Sequence, residues 1–462
     1  EIMRQLLTRL VAVALLLGTA SCTNDGPDYV WLRTIHAVPD APALRVSFDR
    51  YVFRTTLTFG NSSQEVGDAL LSDSADLARM SLDYFGPGNE GVVPLFNLDV
   101  PIAKDGSSTV VLAGNFDDIQ PIIVTGPRRP RPLDSAWFQF VHAAAAEPAL
   151  DVYVTAPDTE LSSTAPNATV QPLTPSPSFE VPFGALRIRL TVAGTLNVLM
   201  DTGEISFPQQ SGSAGTGGEW LFAITPNVAP GPSPLFMILS SGRTTSTLYN
   251  TGTAASLRAF HGLRGQGPVD LVADTEPPQP LLDGLAFQSR SPLVPAPVGQ
   301  YGLLFTPSGE PEQELANRVG AFGLGQQYAA FLFGVIDTRQ ITLVNSETRS
   351  VATEAKLRFA HLAGDGGLFS LYLTEAEDEE RGAANRLFGN VSVGTVTTHV
   401  AIRPAEYFLT LTRRTSADGE ETVVQGPQAF PLQGGDVLTF VAYPAGTEGD
   451  PEIIELIDDL LP

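Results

Sequence analysis

The sequence predicts an all-β chain of four tandem sandwich modules, and three observations carry that expectation. A β-type run ending in His, followed by a second alternating run opening eight residues later, occurs four times: at His36, His142, His261 and His361, with second runs at Leu44, Leu150, Val269 and Phe369. A shared offset in every copy marks tandem duplication of one unit of about 100 residues. Apolar residues make up 43% of the chain and charged ones 17%, enough to build several small cores. The 43 Gly and 37 Pro punctuate many turns rather than long helices.

Residues 1–21 read as an export signal: Arg4 and Arg9 precede an apolar stretch, 10–18, too short to span a bilayer as a finished helix. Thr19, Ala20 and Ser21 then lead to Cys22, which resembles the lipobox of bacterial lipoproteins. The resemblance implies cleavage before Cys22 and its acylation, a lipid hold on the membrane. Thr19 stands where that family prefers Leu, so cleavage after Ala20 or Ser21 is the competing reading. Cys22 is the only cysteine, so the chain has no internal disulfide to make. Thr23, where inner-membrane lipoproteins carry Asp, implies the outer membrane, periplasm-facing or at the cell surface. Residues 22–29 form a short tether.

The first sandwich is expected over 30–130. Leu32, Thr34 and His36 share one strand face, Trp31, Arg33 and Ile35 the other, and Leu44, Val46 and Phe48 alternate next. The second, 131–250, repeats this with Phe138, Phe140 and His142, then Leu150, Val152 and Val154. The third, 251–350, has Leu257, Ala259 and His261, then Val269, Leu271 and Ala273. The fourth, 351–462, has Leu357, Phe359 and His361, then Phe369, Leu371 and Leu373. Strands apolar on one face bury only that face, so two sheets must close on each other. The expected module is an antiparallel β-sandwich, immunoglobulin-like or transthyretin-like, of about six to eight strands.

Later landmarks recur more loosely. Phe59-Gly60-Asn61 and Phe388-Gly389-Asn390 read as matching strand ends, and a glycine precedes an apolar strand late in each copy, at Gly106, Gly218, Gly325 and Gly435. The proline-rich joint 126–132 reads as stiff, and the Ser/Thr-rich joints 242–255 and 345–355 as pliable, which together predict a partly flexible stalk. The insertions 156–178 and 211–218 read as loops.

Residues 33–46 of the first copy, with His36, Ala37, Pro39, Asp40, Ala41 and Pro42, resemble a bacterial domain-of-unknown-function family repeated in secreted proteins and lipoproteins. Its hallmark is a strand, then His-Ala-x-Pro-Asp-Ala-Pro, then a second alternating strand. The other copies keep the His and the spacing but not the loop sequence. The resemblance implies a β-sandwich, a periplasmic or cell-surface setting and no established chemistry.

The formal net charge of −24 repels nucleic acid and anionic headgroups. No Gly-x-Ser-x-Gly elbow, phosphate-binding loop or His-Glu-x-x-His pair occurs. His36, His142, His261 and His361 fall in phase with the apolar side chains of their strands, which predicts buried structural rings tied to loop backbone. No catalytic residue, metal ligand or cofactor is assigned. Glu375, Glu377, Asp378, Glu379 and Glu380 lack the Asp spacing of a calcium loop and read as a solvated loop. The functional expectation is a monomeric, lipid-anchored envelope protein serving as spacer and as adhesive or ligand-binding array for a polysaccharide or an envelope protein. The alternative is a cell-envelope hydrolase with its site at a domain junction.

Overall fold

A computed structural model describes residues 30–48, 51–68, 77–88, 90–102, 105–129, 132, 134–207, 218–241, 244–335, 337–363, 367–416, 419–444 and 452–457. The export segment, Cys22 and most of the 211–218 insertion lie outside the described residues. Strands dominate throughout, and the described residues include one short 3-10 turn, Leu161–Ser163.

The first module contains β1 (Val30–His36), β2 (Leu44–Phe48), β3 (Tyr51–Leu57), β4 (Val66–Asp68), β5 (Leu77–Phe85), β6 (Val92–Pro101), β7 (Gly106–Asn115) and β8 (Asp118–Pro127). They form two four-stranded sheets, ordered β4-β1-β7-β8 and β3-β2-β5-β6. Chain reversal at residues 37–43 moves the polypeptide from one sheet to the other, so the His-containing strand and the second run lie in opposite layers. All pairings are antiparallel except β1 with β7, which runs parallel from Trp31↔Ser107 to His36↔Leu112. The same parallel pair recurs as Ser135–His142 with Glu219–Pro226, Ala255–Leu263 with Gln327–Gly334, and Ala355–His361 with Val437–Tyr443. The chain is thus a tandem array of β-sandwiches, each around its own core: Leu32, Val46 and Met80 in the first, Phe138, Phe140 and Phe222 in the second, Leu257, Leu271 and Phe305 in the third, Phe359, Leu371 and Phe440 in the fourth. Nine strands are described in each of the second and third modules, one more than expected, because edge segments such as Ala168–Val170 join the sheets. That edge strand falls inside the 156–178 insertion, which is therefore not all loop.

The expectation that strands bury one face only fails for the His-bearing sheet. Its central strands are buried on both sides: Leu235–Ser240, Ala255–Leu263 and Ala355–His361 have no exposed residue. The reason is a second apolar layer. Ile35, Val111 and Ile122 of the first module meet Val141, Leu221 and Phe236 of the second in one cluster. Phe260 and Phe331 of the third meet Ala360, Val441 and Tyr443 of the fourth in another. Each pair of modules packs back to back through equivalent faces, a self-complementary contact. At Gly262 the approach is closest, since a Cβ there would lie 2.9 Å from Leu362 Cβ.

The first and third joints are held, which replaces the stalk with a packed block. In the first joint Arg128 stacks 4.0 Å over Trp31 and pairs with Glu65 at 2.9 Å, while Arg129 stacks 4.5 Å over Trp137. Trp31 and Trp137 occupy the same position, five residues before His36 and His142. In the third joint Arg349 Nη1 donates to the carbonyls of Pro39 and Ala41, each at 2.8 Å, and Ala352 N donates to Asp40 O at 2.8 Å. The loop that resembles the family motif is thus gripped by the segment between the third and fourth modules.

Candidate functional site

Two kinds of site merit a chemical reading: the recurrent histidines and the clefts between modules. All four histidines have no exposed surface. Nε2 of His36 lies 3.1 Å from Pro42 O, that of His142 2.9 Å from Pro148 O, and that of His261 3.0 Å from Gly267 O, each six residues downstream. A carbonyl only accepts, so Nε2 carries the proton and Nδ1 is the acceptor. Nδ1 of His36 accepts from Val38 N and that of His261 from Leu263 N, both at 3.3 Å. Both nitrogens of His36 and His261 are thus occupied, whereas Nδ1 of His142 is buried without a hydrogen-bond partner among the described residues. His361 packs edge-on against Phe369 at 4.3 Å between centroids. Burial lowers the His36 pKa to about 3, and burial likewise lowers His142 and His261.

The surroundings of these rings repeat in ways the sequence reading missed. The carbonyl of each His accepts a backbone N–H from a residue in the left-handed region: Gly60 at φ +80, Leu173 at +60, Gln288 at +55 and Gly394 at +79. Glycine takes that conformation freely, whereas Leu173 and Gln288 hold it at a steric cost. Gly60 therefore corresponds to Gly394; Phe388-Gly389-Asn390, expected to match it, lies inside the strand Arg386–Ser392. Three residues past each turn a hydroxyl, on Ser63, Ser176, Ser291 or Thr397, accepts the N–H of Thr34, Phe140, Ala259 or Phe359 at 2.9, 3.0, 2.9 and 2.9 Å. The signal was available as a Ser or Thr three residues after the turn residue in every copy.

A second missed signal stands three residues before the histidines: Arg33, Gln139, Arg258 and Arg358. A step of three residues along a strand reverses the face, so these side chains point away from the His, and those of Arg33 and Arg358 meet the partner module. Arg33 donates to Thr109 Oγ1 at 3.0 and 3.1 Å and across the boundary to Ser240 Oγ at 3.1 Å. Arg358, 1% exposed, donates to Thr439 Oγ1 at 2.8 Å and lies 5.7 Å over the Phe331 ring.

Clefts open where modules meet. One of about 330 Å³ between the first and second modules is lined by Arg33, Arg129, Trp137 and Glu219, and burial pushes the Glu219 carboxyl pKa up. One of about 360 Å³ between the first and fourth holds Arg403, which lies 2.8 Å from Glu375 and 3.7 Å from Glu90. The acidic run expected to be a solvated loop is exposed, and Asn385 Nδ2 closes it by donating to Glu379 at 3.0 Å.

The largest of these clefts, about 430 Å³, lies where the turn at Gly60, the second module, the third module and the third joint converge. Its floor is an aromatic row: Phe59 and Phe236 meet edge-on at 5.8 Å, and Phe236 stacks on Tyr249 at 5.9 Å. Arg349 covers the far end, 5.5 Å over Phe59. Amide and hydroxyl side chains form the rim, among them Asn345, Gln326 and Thr247. Burial opposes ionisation of Glu347, but Lys356 at 2.9 Å and Arg349 at 3.7 Å hold its carboxyl below the ordinary range.

No curated protein matches the sequence. Among solved structures the Bacillus anthracis TIE protein is similar at 10% identity, with 90% of this chain and 68% of that chain covered and a TM-score of 0.15. The family model described as Domain of unknown function (DUF4397) matches residues 30–153 and 255–372. Each match covers one whole sandwich, the first strand of the next and part of its second, so the matched segments begin at the leading members of the two back-to-back pairs. Together they span more than half of the 462 residues, and the chain belongs to the DUF4397 family.

Proposed function

We propose that this chain is a cell-envelope binding protein: exported, acylated at Cys22, held at the outer membrane as a monomer, and presenting its four sandwiches to a polysaccharide or an envelope protein. The observation that supports this most is the set of clefts walled by more than one module. Binding sites concentrate at such junctions, and polar walls around an aromatic floor suit recognition. Because the modules pack in pairs and the first and third joints are held, the block serves better as a rigid platform than as an extended spacer. We further propose that it is not an enzyme. A hydrolase needs a nucleophile or paired carboxylates beside a free base. In the described clefts Glu219, Glu347, Glu90 and Glu375 stand next to arginines, the four recurrent histidines are buried elsewhere, and the fifth, His399, is half-buried and within electrostatic reach of Glu347, a carboxylate already paired with Lys356 and Arg349.

The direct test is retention of the purified protein by envelope glycans and envelope proteins of its own organism. Specific retention by either class is expected; hydrolysis of envelope material with no stable retention would favour the hydrolase instead. For the anchor, Cys22→Ser is expected to yield an unacylated protein released from membranes. Continued labelling of that variant by a fatty-acid probe would contradict acylation at this residue.

A further inference from the structure

The cleft floored by Phe59, Phe236 and Tyr249 combines features that together select a ligand class. Tyr249 is only partly buried, and its phenol has no hydrogen-bond partner among the described residues. Its ring passes so close to the third module that a Cβ on Gly325 would lie 2.8 Å from it; Gly325, at φ +67, leaves the room the ring needs. Around it the side chains of Asn345, Gln326, Ser246 and Thr247 form no hydrogen bond within the protein among the described residues and line the opening. An amide offers both donors and acceptors, and a hydroxyl offers one donor and two lone pairs, all uncharged. Such groups match the alternating donors and acceptors of sugar hydroxyls, and an aromatic face accepts the apolar face of a pyranose ring.

Charge points the same way. Arg349 spends Nη1 on the carbonyls of Pro39 and Ala41, and Glu347 is neutralised by Lys356 and Arg349. Among the described residues Arg349 is the one cation lining the cleft, its Nη1 held by two carbonyls and its Nε 3.7 Å from Glu347, and the net charge of −24 repels an anionic ligand. A volume of about 430 Å³ falls within the usual span of small-ligand sites, roughly 300–1,000 Å³. The walls come from the first, second and third modules and the third joint, so the site exists only in the assembled block.

We infer that this cleft, with Tyr249 as platform and Asn345 and Gln326 as polar rim, binds a neutral oligosaccharide. The inference rests on the binding-protein reading and specifies its ligand and its place. The test is an array of immobilised chito-, cello- and malto-oligosaccharides probed with the full chain in detergent, as wild type, Tyr249→Ala and Asn345→Ala. Wild type is expected to be retained by at least one series. Each variant should lose at least tenfold in affinity, with Asn345→Ala keeping the wild-type melting temperature. Wild-type retention that both variants share would overturn the site while leaving the binding function standing. Retention by an envelope protein but by no oligosaccharide would overturn the ligand class and leave the function. Retention by no envelope component of any kind would remove both.

Discussion

Acidification from about pH 7 to pH 5 is expected to weaken the fold progressively, well before the carboxylates titrate. His36, His142 and His261 are buried as neutral rings with lowered pKa values, His36 down to about 3. The unfolded chain binds protons at these residues near the ordinary value of about 6.5, whereas the folded chain refuses them. Where the unfolded state binds more protons, stability rises with pH. The contribution is therefore complete above about pH 6.5 and is lost as pH falls toward the folded value. For His36 alone this amounts to about 2 kcal/mol by pH 5. Urea unfolding at a series of pH values measures it. His36→Gln should be less stable than wild type at neutral pH yet show a shallower decline between pH 7 and pH 5; a decline of unchanged slope would contradict the buried neutral ring.

Phe331→Ala is expected to cost about 3–5 kcal/mol, the range for deleting a fully buried aromatic side chain. Phe331 has no exposed surface, stacks on Phe260 at 4.2 Å and 12°, and lies beneath the Arg358 guanidinium. Its removal opens a cavity between two modules rather than inside one, and strips a buried cation of its aromatic partner. The third and fourth modules should lose stability together and become cleavable in the joint that links them. Val319→Ser is the control, since that side chain is 62% exposed and its replacement should leave the melting temperature within about a degree. Equal effects of the two substitutions would contradict the shared core.

Much of the architecture was legible because period-two alternation reports burial directly. His36, His142, His261 and His361 with the runs beginning eight residues later located the first two strands of every module, and the glycine-led runs located their parallel neighbours. The back-to-back pairing was legible too, but in a signal that alternation conceals. Leu-Phe-Met-Ile-Leu at 235–239 and Tyr-Ala-Ala-Phe-Leu-Phe at 328–333 are continuous apolar runs, and a strand apolar on both faces must be covered on both faces. The held joints were less accessible. That Arg349 reaches the carbonyls of Pro39 and Ala41 depends on a contact some 310 positions away in sequence, which no local pattern encodes. The large cleft was invisible for the same reason: Phe59, Tyr249, Gln326 and Asn345 are ordinary surface residues until four segments converge. Arg33 and Arg358 show a milder failure, since an arginine on a strand reads as a solvent marker and here each caps an interface between modules.

Small-angle X-ray scattering of the purified protein in solution tests the packed-pair architecture most directly. A packed block gives a single-peaked distance distribution and a radius of gyration near the roughly 22 Å of a compact chain of this length. A value half as large again, with the several-peaked distribution of beads on a string, would contradict it.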